Sequence, residues 1–244
     1  MDGEHHLELV DLPREGRVFA APRRAGLADC APSGRMRLDA LARWLQDVAY
    51  ADVDDAGLAS GAVWVVRRTR MLVERFPRFG ERFTVQTFCS GIGAMWAERR
   101  TTITPIDEPA AAVEAVSLWV HLDPSSWRPT PFTEAELTVY ASAAAGRRIR
   151  ARLRHPAPGS GAPEHPWRFR ATECDIAGHV NNAAYWEPVE EELLGGADPE
   201  RLDAEMEYRS PAQPGEKLVL RNGNRCWIVS PAGEVHASAL LIAA

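Results

Sequence analysis

Apolar residues recur at Leu38, Leu41, Ala42, Leu45, Val48 and Ala49. Steps of three and four along this run place one apolar stripe on one side of an α-helix. Gly57 and Gly61 close the segment, and after them the period falls to two. Residues 63–74 are rich in β-branched side chains and read as a strand. Residues 76–80, Phe-Pro-Arg-Phe-Gly, make a turn, and Phe83, Val85, Thr87 and Cys89 share one face of the next strand. Residues 96–103 and 113–122 follow as strands, joined by a polar, proline-containing connection. Ahead of the helix, residues 17–28 supply a strand broken at Pro22, and residues 29–34 form a turn-rich loop. The first half therefore runs strand, long helix, antiparallel meander.

The pattern breaks after residue 129. Residues 133–140 read as a short helix, residues 146–154 are basic, and residues 156–166 are rich in proline and glycine, as a linker is. Then the first order returns. Residues 167–172 read as a strand, residues 175–194 as a loop and helix, and strands lie near 204–209, 217–221, 225–229 and 235–243. Pro231-Ala232-Gly233 supplies the last hairpin turn. Gly34-Arg35-Met36 precedes the first helix as Gly178-His179-Val180 precedes the second, and the matching order strengthens this local echo. Pro188 falls inside the second helix, where its ring meets the carbonyl of Ala184, so a kink is expected there. Glu190, Glu191 and Glu192 read as a solvated face. The expected division is a first domain over residues 1–132, a linker with a short helix and a basic cluster over 133–166, and a second domain over 167–244.

Composition narrows the classes of function. The chain has 244 residues, 45% of them hydrophobic, enough for one large core or two small ones. A net charge of -6 argues against nucleic acid as the main partner. Cys30, Cys89, Cys174 and Cys226 are scattered, with no C-x-x-C pair. That points to reduced thiols in the cytoplasm and to no metal site. The polar, acidic start does not read as a signal peptide. No apolar run approaches the roughly 20 residues that span a bilayer, so no membrane partner is expected. Between residues 138 and 170, seven arginines stand against Glu164 alone.

Candidate chemistry concentrates in Cys174-Asp175-Ile176-Ala177-Gly178-His179-Val180-Asn181-Asn182-Ala183-Ala184-Tyr185. Asn181 or Asn182 suits the helix N-cap, since its oxygen can accept a free N–H of the first turn. The remaining N–H groups there form a partly positive pocket able to polarise a carbonyl. Asp175 stands a few residues upstream, in reach of a bound carbonyl or a water. Taken alone, a run of this kind is also what a capped helix start with a structural histidine looks like.

The spacing Asp-x-x-Gly-His-Val-Asn-Asn-x-x-Tyr resembles the central loop and helix of the hotdog thioesterases, above all the acyl-ACP thioesterases and the related 4-hydroxybenzoyl-CoA thioesterase group. Other stretches extend the likeness. Residues 64–71, Trp-Val-Val-Arg-Arg-Thr-Arg-Met, are similar to the family's tryptophan-led strand, and residues 76–81 to its aromatic-Pro-Arg-aromatic-Gly-acid turn. Ser117-Leu118-Trp119-Val120 resembles the strand that closes the first domain, and Glu207-Tyr208-Arg209 the strand start after the second helix. The resemblance implies an α+β fold of two tandem hotdog domains, each a curved antiparallel sheet wrapped around a long helix. It implies a cytoplasmic hydrolase of fatty acyl-ACP or acyl-CoA thioesters that serves fatty acid biosynthesis and needs no cofactor. Asp175 and His179 match the family's catalytic positions, with Asp175 as general base or nucleophile. Backbone N–H groups near Asn181 and Asn182 would hold the oxyanion. The first copy has Arg35 in the place of His179, and Arg37 and Leu38 in the places of Asn181 and Asn182, so the second copy alone keeps the chemistry. Where plant-type members carry asparagine between aspartate and histidine this chain has Ala177, and Pro211 and Ala212 fall where those members have glutamate and cysteine. A Cys-His mechanism is therefore not expected.

Trp44, Met71 and Trp96 are candidates to line an acyl channel, with ordinary core packing as the alternative. Arg147, Arg148 and Arg150 are candidates for docking an acidic carrier protein, against a role in pairing with acids elsewhere in the chain. Pairing of two chains into a homodimer is left open. A hotdog pair that binds acyl chains or acyl carriers without turnover is the rival reading, and a hydroxyacyl dehydratase stands behind it.

Overall fold

The computed structural model describes residues 8–59, 61 and 63–243; residues 1–7 of the expected lead-in lie outside them. The first half comprises β1 (Phe19–Arg24), α1 (Leu38–Asp55), β2 (Val63–Val73), β3 (Arg82–Ile92), β4 (Trp96–Pro105) and β5 (Val113–Leu122). A short helix α2 (Glu134–Tyr140) follows. The second half comprises β6 (Glu164–Phe169), α3 (Glu187–Leu194), β7 (Leu202–Tyr208), β8 (Gly215–Asn222), β9 (Arg225–Val229) and β10 (Val235–Ala243).

These strands form one 10-stranded sheet in the order β1-β3-β4-β5-β2-β7-β10-β9-β8-β6. Read inward from either edge, each half shows its first, third, fourth, fifth and second strand. The halves are thus related by an internal two-fold and share one sheet through antiparallel pairing of β2 and β7, from Arg68 opposite Glu207 to Val73 opposite Leu202. The tandem α+β arrangement expected from the sequence is present. Its edges explain two prolines: Pro22 lies within β1 and Pro166 within β6, both edge strands, where a missing N–H leaves the ladder intact.

All six residues of the α1 stripe are buried, and α1 packs against the helical segment of the second half. Trp44 meets Phe83 edge-on at 6.0 Å between ring centroids. α2 starts with a capping box: Thr133 Oγ1 accepts from the Glu136 N–H, and Glu136 accepts from the Thr133 N–H at 2.7 Å.

The second helix differs from expectation. Residues 182–186 form a 3-10 turn that leads into α3, so no single long helix fills this half. Pro188 falls in the first turn of α3, where its absent N–H has no intrahelical partner to lose. The ring therefore begins a helix and does not kink one. Glu190 also departs from the expected solvated face. It is 2% exposed, 2.8 Å from the guanidinium of Arg35, and accepts the Leu38 N–H at 3.0 Å. Glu191 and Glu192 are exposed.

The segment between the halves is strapped across the charged face of the central strands. The N–H groups of Arg154 and His155 donate to the Glu207 carboxylate at 2.6 and 2.9 Å. His155 Nε2 lies 3.1 Å from Glu205, which Arg68 meets at 2.6 Å. Burial pushes the Glu205 carboxyl up, but His155 and Arg68 outweigh it and hold it at about 2. His155, Glu205 and Glu207 stand close enough to share a cation, yet Arg68 already supplies the positive charge that buried carboxylates require.

Candidate active site

A tight loop carries the candidate residues. Cys174 and Val180 pair as an isolated antiparallel bridge, and between them the Asp175 N–H donates to the His179 carbonyl at 3.0 Å. The Gly178 N–H returns to the Asp175 carbonyl, also at 3.0 Å. The turn needs φ of 74° at residue 178, a conformation glycine adopts without the steric cost a side chain would bring.

Inside this loop the Asp175 carboxylate is held at both oxygens. Oδ1 accepts the Ala177 N–H at 2.9 Å, and Oδ2 accepts Asn181 Nδ2 at 3.2 Å. Asn181 is the N-cap: its Oδ1 accepts the Ala183 N–H at 2.9 Å. Its own N–H donates to the Glu173 carbonyl at 2.8 Å, and the Val180 N–H donates to the Ala212 carbonyl at 3.0 Å. Two tyrosines brace the far side. The Tyr208 hydroxyl donates to the Asn182 carbonyl at 3.2 Å and accepts Trp186 Nε1 at 2.9 Å. The Tyr185 hydroxyl accepts the Ala212 N–H at 2.8 Å. Burial pushes the Tyr185 phenol up to about 12 and that of Tyr208 higher still, so both remain neutral hydroxyls.

Asp175, His179, Asn181 and Asn182 all face one cavity of about 690 Å³, within the range of small-molecule sites. From the loop it runs along α1 into the first half, where Trp64, Trp119, Phe132 and Tyr140 line it. Trp44 and Met71 are core residues, and Trp96 donates its Nε1 to the Ile149 carbonyl at 2.9 Å. None of these three candidate channel residues borders the cavity. Pro211 does border it, and Ala212 is buried beneath it.

The internal two-fold supplies a comparison within the molecule. In the first half Cys30 and Met36 form the same isolated bridge, with φ of 85° at Gly34. Arg35 stands where His179 stands and is 1% exposed, locked to Glu190 and to Asp198. Leu38 there corresponds to Asn182, and its N–H carries the Glu190 carboxylate. The Asn182 N–H has no acceptor among the described residues. The first copy of the site is filled by an ion pair and the second opens to the cavity.

One residue escaped the sequence reading. Gln46, on the polar flank of α1, reaches across to the second half. Its Nε2 donates to Asn181 Oδ1 and its Oε1 accepts Asn181 Nδ2, each at 3.2 Å. The signal was faint: Gln46 follows Leu38 by the same interval as Glu190 follows Asn182. The basic cluster divides. Arg147 turns inward to Glu98, to the Ser90 carbonyl at 3.1 Å and to Glu8 at 3.2 Å, whereas Arg148 and Arg150 are exposed.

Residues 25–140 match the family described as the acyl-ACP thioesterase N-terminal domain. Two uncharacterized proteins of Mycobacterium tuberculosis, from two strains, are each 28% identical over 219 residues, covering 88% of this chain and 86% of theirs. The fold is similar to that of an acyl-ACP thioesterase from Bacteroides thetaiotaomicron, with a TM-score of 0.77 and 19% identity over 92% of this chain and 97% of that one. It is also similar to the 12:0-ACP thioesterase from Umbellularia californica, with a TM-score of 0.74 and 17% identity over 93% and 97% of the two chains. The sequence resemblance and the double hotdog fold are both found.

Proposed function

We propose that the protein is a thioester hydrolase that releases a free fatty acid from acyl-ACP or acyl-CoA, a reading supported by the match of residues 25–140 to the acyl-ACP thioesterase N-terminal domain. The observation that carries this is the pairing, at one end of an apolar cavity, of the Asp175 carboxylate with the open N–H of Asn182. The acyl chain occupies the cavity toward Trp64 and Phe132. The thioester carbonyl oxygen lies against the Asn182 N–H, which stabilises the charge that grows there; a well-placed donor of this kind is worth roughly 3–4 kcal/mol. Asp175 either draws a proton from the attacking water or itself attacks the carbonyl carbon. In the first scheme water adds to the carbonyl, the C–S bond breaks, and the departing thiolate takes the proton that Asp175 drew from the water. In the second the thiolate leaves an acyl–Asp175 anhydride and takes a proton, and water then hydrolyses the anhydride to the fatty acid and free Asp175. His179 orients the loop or contacts the thioester. The division into domains over 1–132 and 167–244, joined by 133–166, belongs to the same proposal, as does a place in cytoplasmic fatty acid biosynthesis. No helix among the described residues is long and apolar enough to cross a membrane.

The test is a ladder of acyl-CoA and acyl-ACP thioesters of rising chain length, incubated with the purified protein while free thiol is followed. Release of thiol with a chain-length optimum supports the reading. Tight retention of acyl chains with no thiol release would replace it with that of a binding module.

A further inference from the structure

We propose that Gln46 is a positioning residue of this site: its neutral amide clamps Asn181 so that Asn181 Nδ2 holds Asp175, while the Asn182 N–H stays open to the substrate oxygen. The inference rests on the roles given above to Asp175 and the Asn182 N–H.

The hydrogen bonds fix every orientation in the clamp. The Ala183 N–H donates to one end of the Asn181 side chain, so that end is the oxygen and the other is the NH₂. The NH₂ then serves both Asp175 Oδ2 and Gln46 Oε1, and Gln46 Nε2 returns to the Asn181 oxygen. Asn181 is thus held at both the oxygen and the nitrogen of its amide by a residue from the other half of the molecule. A carboxylate at position 46 could accept one of these bonds but could not donate the second.

The first half shows what a carboxylate at this place does. Glu190, the two-fold counterpart of Gln46, lies on the Leu38 N–H with Arg35 beside it. Leu38 is the counterpart of Asn182. The two halves therefore differ as closed and open versions of one arrangement. Arg35 and Glu190 close the first; His179 and Gln46 leave the second open. The neutral amide at residue 46 is what keeps an internal carboxylate off the N–H that the substrate needs.

The test compares wild-type protein with Gln46→Leu and Gln46→Glu. Each is assayed for kcat and KM on lauroyl-CoA, and each is labelled with ¹⁵N-asparagine so that the Asn182 backbone amide is read by NMR. Gln46→Leu removes the clamp but keeps a side chain of similar length on the cavity wall that Gln46 borders, so kcat falls about 10-fold with KM within about 3-fold of wild type. Gln46→Glu also covers the N–H, and kcat falls about 10²-fold or more. Its Asn182 amide proton moves downfield, as expected on bonding to a carboxylate, and that of Gln46→Leu does not. Wild-type kcat in both variants, or an unmoved Asn182 amide in Gln46→Glu, overturns the inference. A wild-type protein that hydrolyses no thioester overturns the proposed function instead, and the amide shift still decides the role of residue 46.

Discussion

Asp175 receives one hydrogen bond at each carboxylate oxygen, which fixes its rotamer. Asp175→Asn keeps the shape and can keep the bond from Ala177, so the fold should survive while kcat falls by roughly 10²–10⁴-fold. Measuring kcat and thermal midpoint on the same protein separates this from a structural role, which predicts near-normal turnover. His179→Ala should lower kcat less, because the oxyanion contact comes from backbone. A second residue-scale outcome concerns Glu187. Burial, helped by the charge of Glu173, pushes its carboxyl up from 4.5 to about 7. A folded-state pKa above the unfolded one means that the native protein holds the proton more tightly. The associated stability is complete below the unfolded value and is lost as pH rises through about 7. Thermal midpoints of the wild type should fall between about pH 4.5 and pH 7, and Glu187→Gln should flatten that part of the curve. An unchanged slope in the variant would place the titration elsewhere.

At the scale of elements, the second half trades helix length for a junction. The 3-10 turn at residues 182–186 and α3 meet where Pro188 sits, and this brings Glu190 back toward the start of α1. The Arg35–Glu190 pair then ties the loop before α1 to α3 across the internal two-fold. Both side chains are almost wholly buried, at 1% and 3% exposure. Arg35→Leu leaves a buried carboxylate without its cation and should cost about 3–5 kcal/mol in denaturant unfolding. Adding Glu190→Leu should recover much of that loss, because two apolar residues remove the uncompensated charge. A double variant no more stable than the single would show that the pair acts through something other than charge.

For the whole molecule, the internal two-fold is also a division of labour. The first half supplies most of the apolar lining, the second supplies the loop, and Gln46 joins them. Charge is divided as well. The chain is acidic overall at -6, yet Arg148 and Arg150 stand exposed on the connecting segment while Arg147 is spent on Glu98. An exposed basic stretch on an acidic protein raises the encounter rate with an acidic partner. Arg148→Ala with Arg150→Ala should therefore lower kcat/KM for acyl-ACP several-fold at low salt and leave acyl-CoA unaffected. Equal losses on both substrates would count against docking.

The sequence by itself determined the elements whose partner is simply the inside of the protein. The α1 stripe, the strand periods, the doubled order and the Asp175–Asn182 loop were all legible, because periodicity and turn chemistry are written in neighbouring residues. Only the tertiary structure decided what depends on a distant partner. Glu190 read as solvated because nothing near it in sequence reveals Arg35, 155 positions away. Pro188 read as a kink because the 3-10 turn before it is set by the packing of Tyr185 and Trp186, not by propensity. Trp44 and Met71 carried no mark separating core from cavity. Gln46 looked like any polar residue on a helix flank until the pairing of β2 with β7 brought the two halves together and put its amide on Asn181.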